Sequence, residues 1–273
     1  MSFTLPKKLR KRLKKVLVVL LSLYVMIAST LYFLQEKLMF LPTTLEQDYA
    51  YQFNTPFEEL FFKTEENATI NALHFKTENP KGVILYFHGN AGDLSRWGSI
   101  TEYFVEKDYD VLVMDYRTYG KSSGKLSEEA FYRDAQYCYD YLLKNYSENE
   151  ITLYGRSLGT GVASFLAMNN SPQQLILETP YYSIEDVAKH RFPIFPVRQL
   201  LKYRFPTFQY LKKVDCPITI IHGTEDNVVP YSSAKKLSKL KIDNLYFITV
   251  ENGNHNNLIE FEDYHLAINK VLN

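Results

Sequence analysis

A serine hydroxyl becomes an effective nucleophile only when a base accepts its proton and a third group orients that base. This chain offers such a set. Gly155-Arg156-Ser157-Leu158-Gly159 follows the strand-like run Ile151 to Tyr154 and precedes a helical pattern beginning at Leu158. It is G-x-S-x-G in a strand-turn-helix setting, where small neighbours let the backbone turn sharply and expose the hydroxyl, so Ser157 is read as the nucleophile. The pentapeptide alone would say little, because Gly and Ser also build plain turns. Asp226 lies in His222-Gly223-Thr224-Glu225-Asp226-Asn227-Val228-Val229-Pro230, after the run Ile218 to Ile221. His255 lies in Gly253-Asn254-His255-Asn256-Asn257, after the last strand-like run and before a final helix. Singly, the first reads as a turn residue and the second as a polar loop residue. Placed at successive strand ends downstream of Ser157, they read as orienting acid and general base. Glu178, just after Leu175 to Leu177, is the alternative acid.

Acyl transfer also needs donors for a developing oxyanion. One is the backbone N–H of Leu158, next to the nucleophile. The other is expected from the turn His88-Gly89-Asn90-Ala91-Gly92, after the run Val83 to Phe87, with Asn90 the first choice and Ala91 the second.

Competing chemistries are poorly supported. Gly120-Lys121-Ser122 imitates the end of a phosphate-binding loop, but Asp115 stands where the loop's first glycine belongs. Cys138 and Cys216 form no disulfide framework, and neither they nor His74, His190 and His265 show metal-ligand spacing. His88 and His222 read as structural residues beside glycines. Tyr137, Tyr139 and Tyr141 alternate in a helical stretch and read as packing or surface residues. No metal is expected.

The elements that would carry the site are six short apolar runs: Val83 to Phe87, Asp110 to Met114, Ile151 to Tyr154, Leu175 to Leu177, Ile218 to Ile221 and Leu245 to Val250. Helical patterns separate most of them: Ser95 to Lys107, Glu128 to Leu143, Leu158 to Met168 and Ser232 to Leu240. Strand alternating with helix predicts an α/β fold with a mainly parallel sheet covered on both faces. Upstream, Glu59 to Lys63 and Thr69 to Lys76 flank a polar tract and predict an antiparallel hairpin. Residues 180–214 are too long for an ordinary connection, and their aromatics, Pro193, Pro196 and Pro206 predict an insertion over the strand ends.

The N-terminus has another character. The chain's 31 Lys and Arg balance its 31 Asp and Glu. Seven of those cations (Lys7, Lys8, Arg10, Lys11, Arg12, Lys14 and Lys15) fall within residues 1–15, and no acid occurs before Glu36. The rest of the chain therefore carries an excess of seven acids and offers no general footprint for nucleic acid. Val16 to Gln35 are twenty consecutive uncharged residues, enough as a helix to cross a hydrocarbon core of ~30 Å. The preceding cations predict a cytoplasmic N-terminus and an extracytoplasmic, periplasmic or lumenal, catalytic domain. A cleaved signal peptide is the alternative, but the apolar run continues past Ala28-Ser29-Thr30. The expected division is a basic cytoplasmic stretch (1–15), a transmembrane helix (16–35), a connector (36–56) and a catalytic domain (57–273) with a lid insertion (180–214).

These motifs point to a family. Residues 83–258 resemble the α/β-hydrolase superfamily, in which the triad follows in the order Ser, Asp, His. His88-Gly89-Asn90-Ala91-Gly92, Asp115-Tyr116-Arg117, Gly155 to Gly161 and His222 to Asp226 resemble its membrane-anchored serine hydrolase branch, where one N-terminal helix precedes the catalytic domain. The resemblance implies an eight-stranded, mainly parallel sheet with a lid, and cofactor-free hydrolysis of an ester, thioester or, less often, peptide. Thr118 departs from the usual glycine, which bears on a turn near the site. The expected partners are a small-molecule or lipid-like acyl substrate and a membrane, with no nucleic acid. Serine aminopeptidase-like hydrolysis and a non-catalytic binding module on the same fold are the alternatives. In the insertion, eight aromatics beside seven cations predict either a small lid core or an acyl-binding cover facing an anionic membrane. The anchor is expected to add nothing to sheet or triad, so removing residues 1–35 should release an active soluble domain.

Overall fold

The computed structural model describes residues 6–272, so the first five residues of the basic N-terminal stretch and the last residue of the domain lie outside it. No glycine or proline interrupts the chain between Lys7 and Met39, and these residues form one helix, α1. The basic stretch, the apolar span and the start of the connector are therefore a single element, about 50 Å long at 1.5 Å per residue. From Val16 to Val19 its apolar residues are exposed all round, and most of those up to Leu34 remain so, with Leu17 67% and Phe33 72% exposed. A helix apolar on every side suits a lipid surround. By length and composition, it can cross a membrane.

The domain is a sheet of eight strands: β1 (Phe57–Glu65), β2 (Ala68–Phe75), β3 (Val83–Phe87), β4 (Asp110–Met114), β5 (Ile151–Arg156), β6 (Gln174–Glu178), β7 (Ile218–Gly223) and β8 (Leu245–Val250). Their order is β8-β7-β6-β5-β3-β4-β2-β1. Only β2 runs antiparallel to its neighbours, β1 and β4. The hairpin and all six parallel runs thus appear where the apolar pattern predicts them, with ends shifted by a residue or two.

Alternation along the strands splits the core in two. Leu85, Phe87, Leu153 and Leu177 face one layer, against α3 (Glu128–Leu142) and α4 (Gly159–Asn169). Tyr86, Val113, Tyr154 and Ile221 face the other, against α2 (Leu94–Val105) and α9 (Glu262–Leu272). Side chains cap these helices: Asp93 accepts from the Ser95 N–H ahead of α2 and Ser127 from the Ala130 N–H ahead of α3.

Chain order reverses between β3 and β5, and such a switch point opens a crevice at the strand C-termini. The insertion covers that end. It comprises α5 (Ile184–Arg191), α6 (Val197–Leu200), α7 (Thr207–Tyr210) and a short 3₁₀ turn, and α8 (Tyr231–Leu237) follows β7. Tyr203 and Phe205 are buried and anchor the insertion through Phe40 and Phe131. The connector is also tied down, because Leu41–Pro42 pairs in parallel with Ala91–Gly92.

Candidate active site

Ser157 sits at the turn between β5 and α4 with φ +51°, in the left-handed region that most non-glycine residues avoid. Its two flanking glycines have a steric cause. A Cβ on Gly159 would stand 2.0 Å from the Phe87 carbonyl oxygen, and one on Gly155 would stand 2.6 Å from the Gly159 oxygen. The turn can pack this tightly between β3 and α4 only with hydrogen at both positions. It is held by Ser157 N–H donating to the Glu178 carbonyl and by Tyr181 Oη–H donating to the Leu158 carbonyl.

The structure brings the three predicted residues together. His255 Nε2 lies 2.8 Å from Ser157 Oγ, and His255 Nδ1 lies 2.7 Å from Asp226 Oδ2. Asp226 Oδ1 accepts from the N–H groups of Val228 and Val229, each at 2.8 Å. His222 Nε2 adds a contact of 3.2 Å to Oδ2. Burial by itself would raise the Asp226 pKa, but the hydrogen bonds from His222 and His255 outweigh it and hold the carboxyl well below the usual range. An ionised, acceptor-only Asp226 makes Nδ1 the protonated nitrogen of His255 and leaves Nε2 free to accept from the serine.

Asn90, Ser157 and Leu158 line one cavity. The backbone N–H groups of Asn90 and Leu158 make no hydrogen bond among the described residues. Two free donors beside a serine can hold an oxyanion. Ala91, the second choice, instead lies in the short pairing with the connector. Asn90 is itself clamped. Its Nδ2 donates to the Met39 carbonyl at the end of α1, and its carbonyl accepts from Leu41 N–H and Tyr119 Oη–H.

Glu178, the alternative acid, is turned away from His255. Its carboxylate pairs with Arg156 Nε at 3.2 Å and accepts from the Tyr154 hydroxyl. Arg156 lies over Trp97 and reaches the His255 carbonyl at 3.4 Å, so this buried pair braces the histidine's loop from below. No local pattern signals this pair, because only the pairing of β5 with β6 sets the side chain that precedes Ser157 against the strand-end acid. His88 approaches Asp115 at 3.2 Å and lies buried, a structural residue as expected. Both cysteines are free. Burial pushes the Cys216 thiol up to about 11. No cluster of potential metal ligands occurs among the described residues.

The cavity beside Ser157 has a volume of about 330 Å³ and mostly apolar walls. Ile184, Val187, Phe192 and Phe195 of the insertion form one side. The other side belongs to α1. Leu31, Gln35, Leu38 and Met39 of α1 also line it, so the helix stays out of the sheet yet reaches the site. Gln35 is buried, donating to the Leu200 carbonyl and accepting from Lys202 N–H. A polar amide at the end of a long apolar run was the available signal.

The fold and this relay together define a serine hydrolase on the α/β-hydrolase scaffold. The chain belongs to the α/β-hydrolase family described as serine aminopeptidase, S33, which matches residues 78–214. It is 31% identical over 222 residues to the uncharacterized protein R595 of Acanthamoeba polyphaga mimivirus, spanning 72% of this chain and 75% of that one. It is 29% identical over 280 residues to the lysophosphatidylserine lipase ABHD12 of Macaca fascicularis, spanning 85% and 70% respectively. The Pyrococcus furiosus esterase Pf2001 shares the fold with a TM-score of 0.66 at 17% identity, over 86% of this chain and 97% of that one.

Proposed function

We propose that this chain is a membrane-anchored lipase that hydrolyses a carboxylic ester of a single-chain, lipid-like substrate through an acyl-enzyme. The observation that carries the reading is the apolar cavity opening directly onto Ser157, whose hydroxyl already contacts His255 Nε2. In the forward step Ser157 Oγ attacks the ester carbonyl while His255 Nε2 takes its proton. The N–H groups of Leu158 and Asn90 stabilise the tetrahedral oxyanion. Collapse expels the alcohol, which leaves with the proton from His255, and the acyl group stays on Ser157. Water, deprotonated by the same nitrogen, then releases the carboxylic acid. Asp226 remains ionised throughout and stabilises the imidazolium.

Two further observations favour a lipid-like ester over the alternatives. Several relatives are named lysophosphatidylserine lipase, and their substrate class, a single acyl chain on a polar head, matches an apolar pocket beside a nucleophile. An aminopeptidase needs an acid to hold the substrate's α-ammonium group, and among the described residues no carboxylate lines the cavity. Thioesters fit the same chemistry. The helix α1 would anchor the enzyme with its basic end in the cytoplasm and the catalytic domain on the opposite side.

The test is a panel of lysophospholipids, acyl thioesters and aminoacyl anilides offered to the full-length protein in vesicles. Fastest turnover of the ester lipids, abolished by Ser157→Ala, supports the reading. Preferential release of aniline, or equal turnover of the esters by Ser157→Ala, refutes it.

A further inference from the structure

The apolar wall of the site continues without a break into the helix that would cross the membrane. Leu31, Gln35, Leu38 and Met39 recur at the i, i+4, i+7 and i+8 spacing of one helical face, and that face lines the cavity reaching Ser157. The insertion meets the same helix at a lower level. Tyr24 stacks on Phe195 with ring centroids 5.0 Å apart and planes 7° apart, and its hydroxyl donates to the Ile194 carbonyl. Tyr24 lies eleven residues before Gln35, hence roughly 16 Å further along the helix axis. It falls inside the uncharged run Val16 to Gln35, so the loop that touches it stands beside the apolar part of the helix.

That loop is built for lipid. Phe192-Pro193-Ile194-Phe195-Pro196-Val197 carries no charge, lies between Arg191 and Arg198, and leaves Ile194 73% and Phe192 39% exposed. Its two prolines lack the N–H groups that an apolar surround would leave unsatisfied. Among the described residues, charged contacts between helix and insertion appear only above this level. Lys202 lies 3.8 Å from Glu36 and over the Tyr32 ring. Charged groups at one level and uncharged apolar contacts below it are the profile of a membrane–water boundary.

We infer that the C-terminal turns of α1 are a substrate-binding element, and that α1 and the 192–197 loop together form a port through which one acyl chain enters laterally from the bilayer to reach Ser157. The inference rests on the proposed esterase activity and adds the source of the substrate and the residues that set acyl length. Leu31 and Leu38 are the specificity residues, since bulk at either position shortens the space open to the chain. Gln35 is a positioning residue. Its amide bridges Leu200 and Lys202, holding the far side of the port against the helix.

The experiment uses the full-length protein in phosphatidylcholine vesicles and the ratio of kcat/KM for a hexadecanoyl ester to that for an acetyl ester. Leu31→Trp and Leu38→Trp should each lower this ratio by about tenfold, the loss of roughly two buried methylenes, and move the preferred acyl length downward. Leu17→Trp, on the helix but remote from the cavity, should leave the ratio unchanged. Fluorophosphonate labelling of each variant establishes that it is folded with a competent nucleophile. The hexadecanoyl ester should be turned over rapidly when it shares the enzyme's vesicle, and only at the rate of intervesicle transfer when supplied in a separate one. An unmoved length profile in both labelled tryptophan variants reduces α1 to a tether and overturns the port. Equal rates from shared and separate vesicles overturn lateral entry. Acetyl-ester hydrolysis that survives Ser157→Ala identifies a failure of the underlying esterase reading, a result distinct from either of these.

Discussion

The Asp226 carboxylate accepts two backbone N–H groups on one oxygen and faces two histidines with the other. Asparagine cannot reproduce that pattern, since its amide would present a donor to one of these partners. Asp226→Asn should therefore lower kcat by about 10⁴-fold through loss of the His255 tautomer. Glu178→Gln should leave kcat near the wild-type value while costing stability, about 3 kcal/mol for a broken buried pair with Arg156. Steady-state kinetics and thermal melting of the two variants separate the roles, and the opposite pattern would make Glu178 the catalytic acid. Protonation supplies a second check. Because the folded pKa of Asp226 is depressed, the stability it contributes is full above the ~3.9 of an unfolded aspartate and is lost as pH falls through the lower folded value. The difference in melting temperature between wild type and Asp226→Asn should accordingly be constant at neutral pH and shrink below about pH 4. A difference that grows on acidification contradicts the hydrogen-bond assignment.

At the level of elements, the insertion and α1 line one cavity together. Phe192 and Phe195 line the cavity, and Phe195 also stacks on Tyr24. Each methylene buried in such a groove gains ~0.8 kcal/mol, so kcat/KM should rise with acyl length until the space is filled. Phe195→Ser should flatten that rise, whereas equal losses on short and long esters would make the ring purely structural. Removing residues 1–35 strips Leu31 and Gln35 from the cavity together with the apolar span. The truncated protein should hydrolyse an acetyl ester but lose its preference for long chains, and an unchanged length profile would restore α1 to a simple anchor. The contrast with the sequence reading has a physical cause. Strands β3 to β8, the Ser157 turn and the strand-end placement of Asp226 and His255 are written in local patterns, since short apolar runs and two sterically required glycines occur within a few residues. Gln35 meets Leu200 across 165 positions and Arg156 meets Glu178 across a strand crossover, contacts that no local period encodes. Charge marks an end to the apolar run at residue 35, but the helix continues to Met39 because charged Glu36 and Lys37 are good helix formers.

For the whole molecule, one chain would join a basic end, a membrane span, a port and a hydrolase in fixed order. Seven cations immediately before the apolar run favour a single orientation. In sealed vesicles carrying the native topology, the full-length protein should resist carbonate extraction, and protease added on the catalytic side should reach the domain but spare the basic end. Release by carbonate would replace the anchor with a cleaved leader. The central claim, that Ser157 is the nucleophile of a membrane-anchored lipase, is tested most directly by treating the membrane-embedded protein with a fluorophosphonate and mapping the adduct by mass spectrometry. The account predicts one phosphonyl group on the Ser157 hydroxyl, absent after Ser157→Ala and formed far more slowly after His255→Ala. An adduct on another residue, or no adduct on protein that remains folded, would contradict it.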